Sequence, residues 1–150
     1  MDQADDKRCT ALYWASWKGH SDVVKLLLGA KWINVNQTNK KGATALFIAS
    51  QKGHSDIMKL LLGTSDINVN QPMTNGATPL IIASYLGHAS CVSLLLTDSE
   101  INSALLFQEH TALQLAQPNA RVEGWEWLED QINMEGRATV VQLLIDAGAQ

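Results

Sequence analysis

Three histidines recur at a constant interval of 34 residues, at His20, His54 and His88. A row of imidazoles suggests metal ligation, because zinc binds histidine nitrogen at about 2.0–2.1 Å. Adjacent packed helices, however, lie about 8–10 Å apart. Side chains supplied once per repeat would therefore be too far apart to share one ion, and we expect no metal at these histidines.

The other reactive side chains lack the spacing of a catalytic site. Cys9 and Cys91 match neither a metal motif nor a disulfide framework, which predicts free thiols in a reducing compartment. No glycine-rich phosphate loop and no G-x-S-x-G motif occurs. A carboxylate cluster is typical of a solvated helix face; its members are Glu123, Glu126, Glu129, Asp130 and Glu135. We therefore expect no enzymatic activity and no cofactor.

The histidines belong to a longer internal repeat. The segment KGHSDVVKLLLG at 18–29 returns as KGHSDIMKLLLG at 52–63, with ten of twelve residues unchanged. The tetrapeptides TALY, TALF and TPLI begin 34 residues apart at Thr10, Thr44 and Thr78, and TALQ follows at Thr111. One such unit cannot bury its apolar faces alone, so the sequence predicts stacked copies with a continuous core.

The sequence of each unit predicts a pair of helices. Thr78 is a helix N-cap with proline following it, the helix should cover 79–86, and Gly87 should end it in the left-handed conformation. Ser21 and Ser55 are predicted to cap the second helices of the first two copies.

The second helix and the linkers complete each unit. Its triple leucine is apolar nearly all round, so we expect Leu61 to be fully buried between repeats. The alternating residues of 33–37 and 67–71 predict a short extended hairpin between units. The linker 97–110 has lost its glycine, and we expect it to be irregular.

This pattern resembles the ankyrin repeat, whose motif is T-P-L-H-x-A. The match is best at 78–83 and recurs at 10–15, 44–49 and 111–116. The resemblance implies an all-α repeat fold, an ankyrin-type solenoid of stacked helix pairs with short hairpin connections. It implies a single domain over 1–150, with repeats at about 6–38, 39–72, 73–105 and 106–150. The motif histidine is replaced in every copy, which predicts more apolar packing at that position. The replacing residues are Tyr13, Phe47, Ile81 and Gln114.

The fourth copy contains an insertion at about 117–135. Pro118 should end its first helix, and its second helix should resume at Arg137. The spacing of Trp125, Leu128 and Ile132 predicts a short amphipathic helix, with Trp127 facing elsewhere. Two interpretations stay open: the tryptophans pack back onto the array, or they contact a partner.

Charge is distributed unevenly along a chain of net charge −4. Residues 1–60 hold nine of the eleven Lys and Arg, whereas 61–150 hold ten of the fifteen Asp and Glu. The acidic total argues against a nucleic-acid partner. No apolar run is long enough to span a membrane, and the start MDQADDKR lacks the apolar segment of a signal peptide. We expect a cytoplasmic protein, with the nucleus as the alternative.

The resemblance implies a noncatalytic scaffold module that binds a protein or peptide through the concave face of the array. The predicted contact residues are Lys7, Trp17, Lys18, Lys40, Lys41, Gln51, Lys52, Thr74, Asn75, Tyr85, Leu86 and Phe107. Basic residues with aromatic anchors suit an acidic partner with apolar side chains, and substitution of the anchors should leave folding intact. The alternative is an end-to-end assembly element with weak head-to-tail self-association, or a fragment of a longer array, because both end helices are as apolar as the internal ones.

Overall fold

The computed structural model describes residues 4–105 and 107–149; Leu106, in the linker predicted to be irregular, lies outside them. Successive helix pairs form the chain, and no described helix is long and apolar enough to cross a membrane. The α-helices are α1 (Ala11–Lys18), α2 (Ser21–Leu28), α3 (Ala45–Lys52), α4 (Ser55–Leu62), α5 (Pro79–Leu86), α6 (Ala89–Leu96), α7 (Ala112–Leu115) and α8 (Met134–Asp146), and a 3-10 helix covers Glu126–Gln131.

The first helix of each pair begins and ends as predicted. Thr10, Thr44 and Thr78 have extended backbones, and each hydroxyl accepts a hydrogen bond from the N–H three residues later. In α5, Pro79 occupies the first turn, where its missing N–H removes no helical bond. Gly87 then ends the helix at φ 78°, a conformation that costs glycine little. The predicted boundaries of α5 are confirmed.

The second helices of the first three copies begin at a histidine, and the predicted serine caps are wrong by one residue. His54 is the N-cap of α4, and Ser55 is already helical. The imidazole bonds to the preceding copy instead of capping its own helix. His54 Nε2 donates to the carbonyl oxygen of Trp17 at 3.2 Å, and His88 Nε2 donates to that of Gln51 at 3.0 Å. Each ring therefore ties one copy to the next.

The helices stack in two layers with the core between them. First helices contact first helices along the array (α1, α3, α5 and α7), and second helices do the same (α2, α4, α6 and α8). Leu61 is fully buried in this core, as predicted from its place in the triple leucine. Phe47 and Ile81, which replace the family histidine, are also buried, so the expected apolar packing is confirmed for those two.

The linkers differ from the predicted extended hairpins. Within the described ranges the β pairing consists of two isolated bridges, both outside 33–37 and 67–71. Asn36 explains the difference: its side-chain amide donates to the Asp66 carbonyl at 2.6 Å, and its side-chain oxygen accepts from Asn68 N–H at 2.8 Å. Asparagine side chains thus satisfy backbone groups that a strand would have paired.

The turns at 5–9, 39–43 and 73–77, each closed by a backbone hydrogen bond ahead of a first helix, are called the hairpin tips, and backbone hydrogen bonds join the tips of successive copies. Lys40 N–H donates to the Lys7 carbonyl at 3.0 Å, and Thr74 N–H donates to the Lys41 carbonyl at 2.9 Å. The tips therefore form a continuous row over the first three copies. In the linker before the fourth copy, Gln108 and Glu109 have positive φ angles of 48° and 66°, so the predicted irregularity is confirmed.

The last helix pair departs most from the others. α7 has only four residues and ends ahead of Pro118, as expected from the restriction that proline imposes on the preceding residues. α8 begins at Met134, three residues before the predicted start at Arg137. The reason is Asn133, whose side-chain oxygen accepts from Gly136 N–H at 2.9 Å and caps an additional turn.

Arg137 takes the place that histidine holds in the earlier copies. Its Nε donates to the carbonyl oxygen of Tyr85, and its Nη1 donates to that of Gln117 at 3.2 Å. The guanidinium lies over the Tyr85 ring, 4.6 Å from the centroid, and the side chain is fully buried. Burial lowers the pKa of Arg137. The bond between copies is thus preserved by a different side chain.

Candidate partner-binding surface

A groove of about 760 Å³ lies between the hairpin tips and the first helices, on the side where the concave face is expected. Seven predicted contact residues line it: Lys7, Trp17, Lys40, Lys41, Gln51, Lys52 and Asn75. The structure therefore brings most of the predicted set together. Thr74 is exposed beside the groove.

Trp17 forms an aromatic platform at the first-copy end of the groove. Its ring is half-buried and contacts Trp14, with the ring centroids 4.7 Å apart. The ammonium of Lys18 lies 5.1 Å from the Trp17 centroid, and that of Lys52 lies 5.6 Å from it. Both distances allow cation–π attraction. The platform thus presents an apolar ring flanked by positive charges.

Asp5 holds the first hairpin tip and the adjoining tryptophan in place. Its carboxylate accepts from the N–H groups of Cys9 and Lys7 at 2.8 and 2.9 Å, and from Trp14 Nε1 at 3.1 Å. The bond from Cys9 is the main cause of a lowered pKa for Asp5. This carboxylate therefore has a structural role at the edge of the groove.

The groove is positively charged. Four lysines line it, and no carboxylate is among its lining residues in the described part of the chain. Clefts lined by one sign of charge concentrate the field and attract ligands of the opposite sign. The electrostatics therefore favour an anionic ligand, although the whole chain is acidic.

The insertion covers the other end of the expected face. Trp125 is buried, stacks on Phe107 with centroids 4.7 Å apart, and meets the edge of Tyr85 at 5.0 Å. Tyr85, Leu86 and Phe107 are consequently buried. Our prediction that these three side chains are exposed anchors is wrong, because the insertion has no counterpart in the earlier copies. Because Tyr85 is buried, we now expect its substitution to destabilise the fold.

Trp127 is the exposed tryptophan of the insertion, whereas Trp125 is buried. It is 62% exposed, and its Nε1 donates to the Gly124 carbonyl at 3.1 Å. Trp125 and Leu128 are buried, as their predicted phase requires, although the segment is a 3-10 helix. The interpretation that the tryptophans pack back onto the array thus describes Trp125 and does not describe Trp127.

Among the aromatic groove residues that are not buried, Tyr13 and Trp14 were missed by sequence reasoning, and Trp127 was left open as a partner contact. Trp14 lies three residues before Trp17, so both rings lie on one helix face, and this spacing could have identified it. Trp127 lies out of phase with Trp125 and Leu128. This phase correctly predicted that its side chain faces away from theirs, but it did not predict that the side chain lines the groove.

The remaining reactive groups are engaged in packing. Burial lowers the pKa of His88, and it raises the pKa of Cys91 to about 11. Both Cys9 and Cys91 are free and buried. Within residues 4–105 and 107–149, no three His, Cys, Asp or Glu side chains converge to hold a metal ion.

The comparison with protein families agrees with the architecture. A family model for ankyrin repeats in three copies matches residues 29–105, and the model of the single ankyrin repeat matches residues 7–40. Among curated proteins, none matches the chain. The matches end before the last helix pair, so the count of four copies stays a prediction. Ankyrin repeats generally act as protein–protein interaction modules and are typically noncatalytic. The chain belongs to the ankyrin repeat family.

Proposed function

We propose that this protein is a noncatalytic module that binds a partner protein or peptide through the groove. The observation that supports the proposal most is the arrangement around Trp17: a half-buried ring between two ammonium groups, beside a row of basic hairpin tips. Such a surface fits an acidic segment that carries apolar side chains. Two buried free thiols fit a reducing compartment, and we place the function in the cytoplasm or the nucleus.

The aromatic and basic residues should contribute in different ways. Tryptophan is enriched among the residues that carry most of the energy of an interface. Exposed charges at the rim mainly change the rate of association. Trp17 should therefore determine affinity, whereas Lys40 at the hairpin tip should accelerate encounter at low salt.

The test begins with an affinity pull-down and mass spectrometry to identify a partner, followed by calorimetric titration of variants. We expect Trp17→Ala to weaken binding by about 2 kcal/mol or more. Lys40→Ala should have a smaller effect, through slower association at low salt. Lys59→Ala is the control, because Lys59 is exposed on α4 and does not line the groove. Parental affinity in Trp17→Ala would contradict the proposal.

A second candidate function is end-to-end assembly, and the exposed end of the array favours it. Val23 on α2 is 43% exposed and Leu26 is 78% exposed. Their counterparts one copy later, Ile57 and Leu60, are buried and half-buried under the preceding copy. A further repeat, from a second copy of this chain or from a longer array, would cover this face in the same way.

Light scattering at several protein concentrations tests the assembly function. Head-to-tail association predicts a mass that rises with concentration and falls with added salt, because salt screens the attraction between a basic front and an acidic back. Leu26→Glu should abolish the rise, since it places a charge on the exposed apolar face. If the protein is monomeric at low salt and high concentration, the end-to-end assembly function is excluded.

A further inference from the structure

We infer that the insertion forms the second wall of the groove, and that the occupant is a short acidic peptide segment whose large apolar side chain enters between Trp17 and Trp127. This inference rests on the proposed function and specifies the partner and its position. Trp17 on α1 and Trp127 in the insertion line the same groove from opposite ends of the array.

The insertion limits how much of the array a partner can contact. Trp125 covers the third and fourth copies by packing on Tyr85 and Phe107. A partner lying along all the copies would have to expose this buried aromatic cluster, which would remove its packing and destabilise the fold. The open part of the groove therefore extends from the first copy only as far as the hairpin tip of the third, which favours a short segment.

The insertion turns its apolar groups toward the groove and its carboxylates elsewhere. Trp127 and Leu128 line the groove, whereas the acidic residues of the insertion do not. Glu129 pairs with Arg121 at 3.4 Å. Glu126 accepts hydrogen bonds from its own N–H and from that of Gly124, which lower its pKa. The second wall is consequently apolar, although the segment that builds it is acidic.

The orientation of Trp127 fits a contact role. Its ring is mostly exposed, yet the bond from Nε1 to the Gly124 carbonyl fixes its direction. A large rigid side chain that is held in place loses little conformational freedom on binding. Trp127 thus has the features of an anchor that faces an incoming side chain.

Charge and size together define the occupant. Four lysines of the first two copies line the groove, at Lys7, Lys40, Lys41 and Lys52, so carboxylates on either side of the inserted side chain would meet ammonium groups. The volume of about 760 Å³ lies within the range of pockets that enclose small ligands. It accommodates a few side chains of a peptide, whereas a flat protein surface would leave it unfilled.

Selection of random peptides displayed on phage, with the whole chain as target, tests the inference. We expect the enriched peptides to be net acidic and to contain an aromatic or large aliphatic residue. The most enriched peptide is then synthesised with a fluorescent label and titrated by anisotropy. We expect Trp127→Ala and Trp17→Ala each to weaken its binding about tenfold or more. Trp127→Phe, which keeps a ring, should retain most of the affinity.

Trp32→Ala is the matched control, because Trp32 is 51% exposed and lies outside the groove. Circular dichroism and melting temperature establish that each variant is folded. If Trp17→Ala weakens binding and Trp127→Ala does not, the groove binds peptides but the second wall is wrong. If neither variant weakens binding, the proposed function fails as well. Basic or neutral selected peptides would overturn the acidic occupant, and a selection without enrichment would overturn a peptide occupant.

Discussion

The first turn of α8 lies so close to the end of α5 that Gly136 has no space for a side chain. A Cβ atom at Gly136 would overlap the carbonyl oxygen of Gly87, and it would lie 2.8 Å from the Gly87 carbonyl carbon and 3.0 Å from Asn133 Cγ. Backbone atoms cannot rotate away as the end of a flexible side chain can. Gly136→Ala must therefore displace α8 from α5.

The magnitude follows from the bonds at this contact. Displacement of α8 strains the bond from Asn133 N–H to the Leu86 carbonyl, 2.8 Å long, and the bond from Arg137 to the Tyr85 carbonyl. Overpacking costs about 1–3 kcal/mol, and loss of the charged bond to Tyr85 costs about 1.5–3 kcal/mol. Alanine regains about 1 kcal/mol over glycine inside a helix. We expect Gly136→Ala to lower the free energy of unfolding by about 1.5–5 kcal/mol.

Urea denaturation, followed by circular dichroism and by tryptophan fluorescence, measures this effect. The fluorescence signal sums five tryptophans and includes Trp125, which is buried against Tyr85 and Phe107. Thr139→Ala, at an exposed site on the same helix, should change stability by less than about 0.5 kcal/mol. If Gly136→Ala proves as stable as the parent or more stable, α8 does not lie against Gly87 and the reasoning is refuted.

Three further predictions concern the core and its titratable groups. Leu61→Ala should lower the free energy of unfolding in urea by about 2–5 kcal/mol, and a change under about 0.5 kcal/mol would show that the repeat register is wrong. Burial lowers the pKa of His88 below its usual 6.5, so its contribution to stability is full above that pH and is lost as the pH falls through the folded pKa. His88→Asn should accordingly reduce the loss of stability measured by urea titration between about pH 7 and pH 5. Burial raises the pKa of Cys91 to about 11, so a thiol reagent at about pH 8 should label it only on unfolding, and rapid labelling of the folded protein would contradict its burial.

The repeated part of the fold could be predicted because its signals are local or are copied. The boundaries of α5 follow from Thr78, Pro79 and Gly87, which act within one helix. The burial of Leu61 follows from repetition, because each copy covers its neighbour. The structure of the linkers could not be predicted in this way. Alternation of apolar and polar residues predicts a strand, and it does not show that asparagine side chains hydrogen-bond the backbone groups that a neighbouring strand would pair.

The candidate site was predictable where it is built from copies and not where the insertion determines it. The position of Trp17 follows from the repeat register, and the structure places it in the groove. The burial of Tyr85 depends on the direction in which Trp125 folds back, which is a contact between distant parts of the chain. The sequence also did not reveal that Arg137 replaces the histidine of the earlier copies. Only the hydrogen bond from Arg137 to the Tyr85 carbonyl shows that arginine makes the same contact with the preceding copy.

The hydrogen bonds between copies leave the recognition residues free to change. The acceptors are the backbone carbonyls of Trp17, Gln51 and Tyr85, three residues with unrelated side chains at the same place in successive copies. Every residue type has this carbonyl, so a mutation of Trp17 or Gln51, which line the groove, alters what the copy presents without removing the bond that joins it to the next. Tyr85 is buried under the insertion and does not have this freedom. In evolutionary terms, cohesion of the array and choice of ligand are encoded in different atoms of the same residue, and specificity can drift while the scaffold is inherited intact.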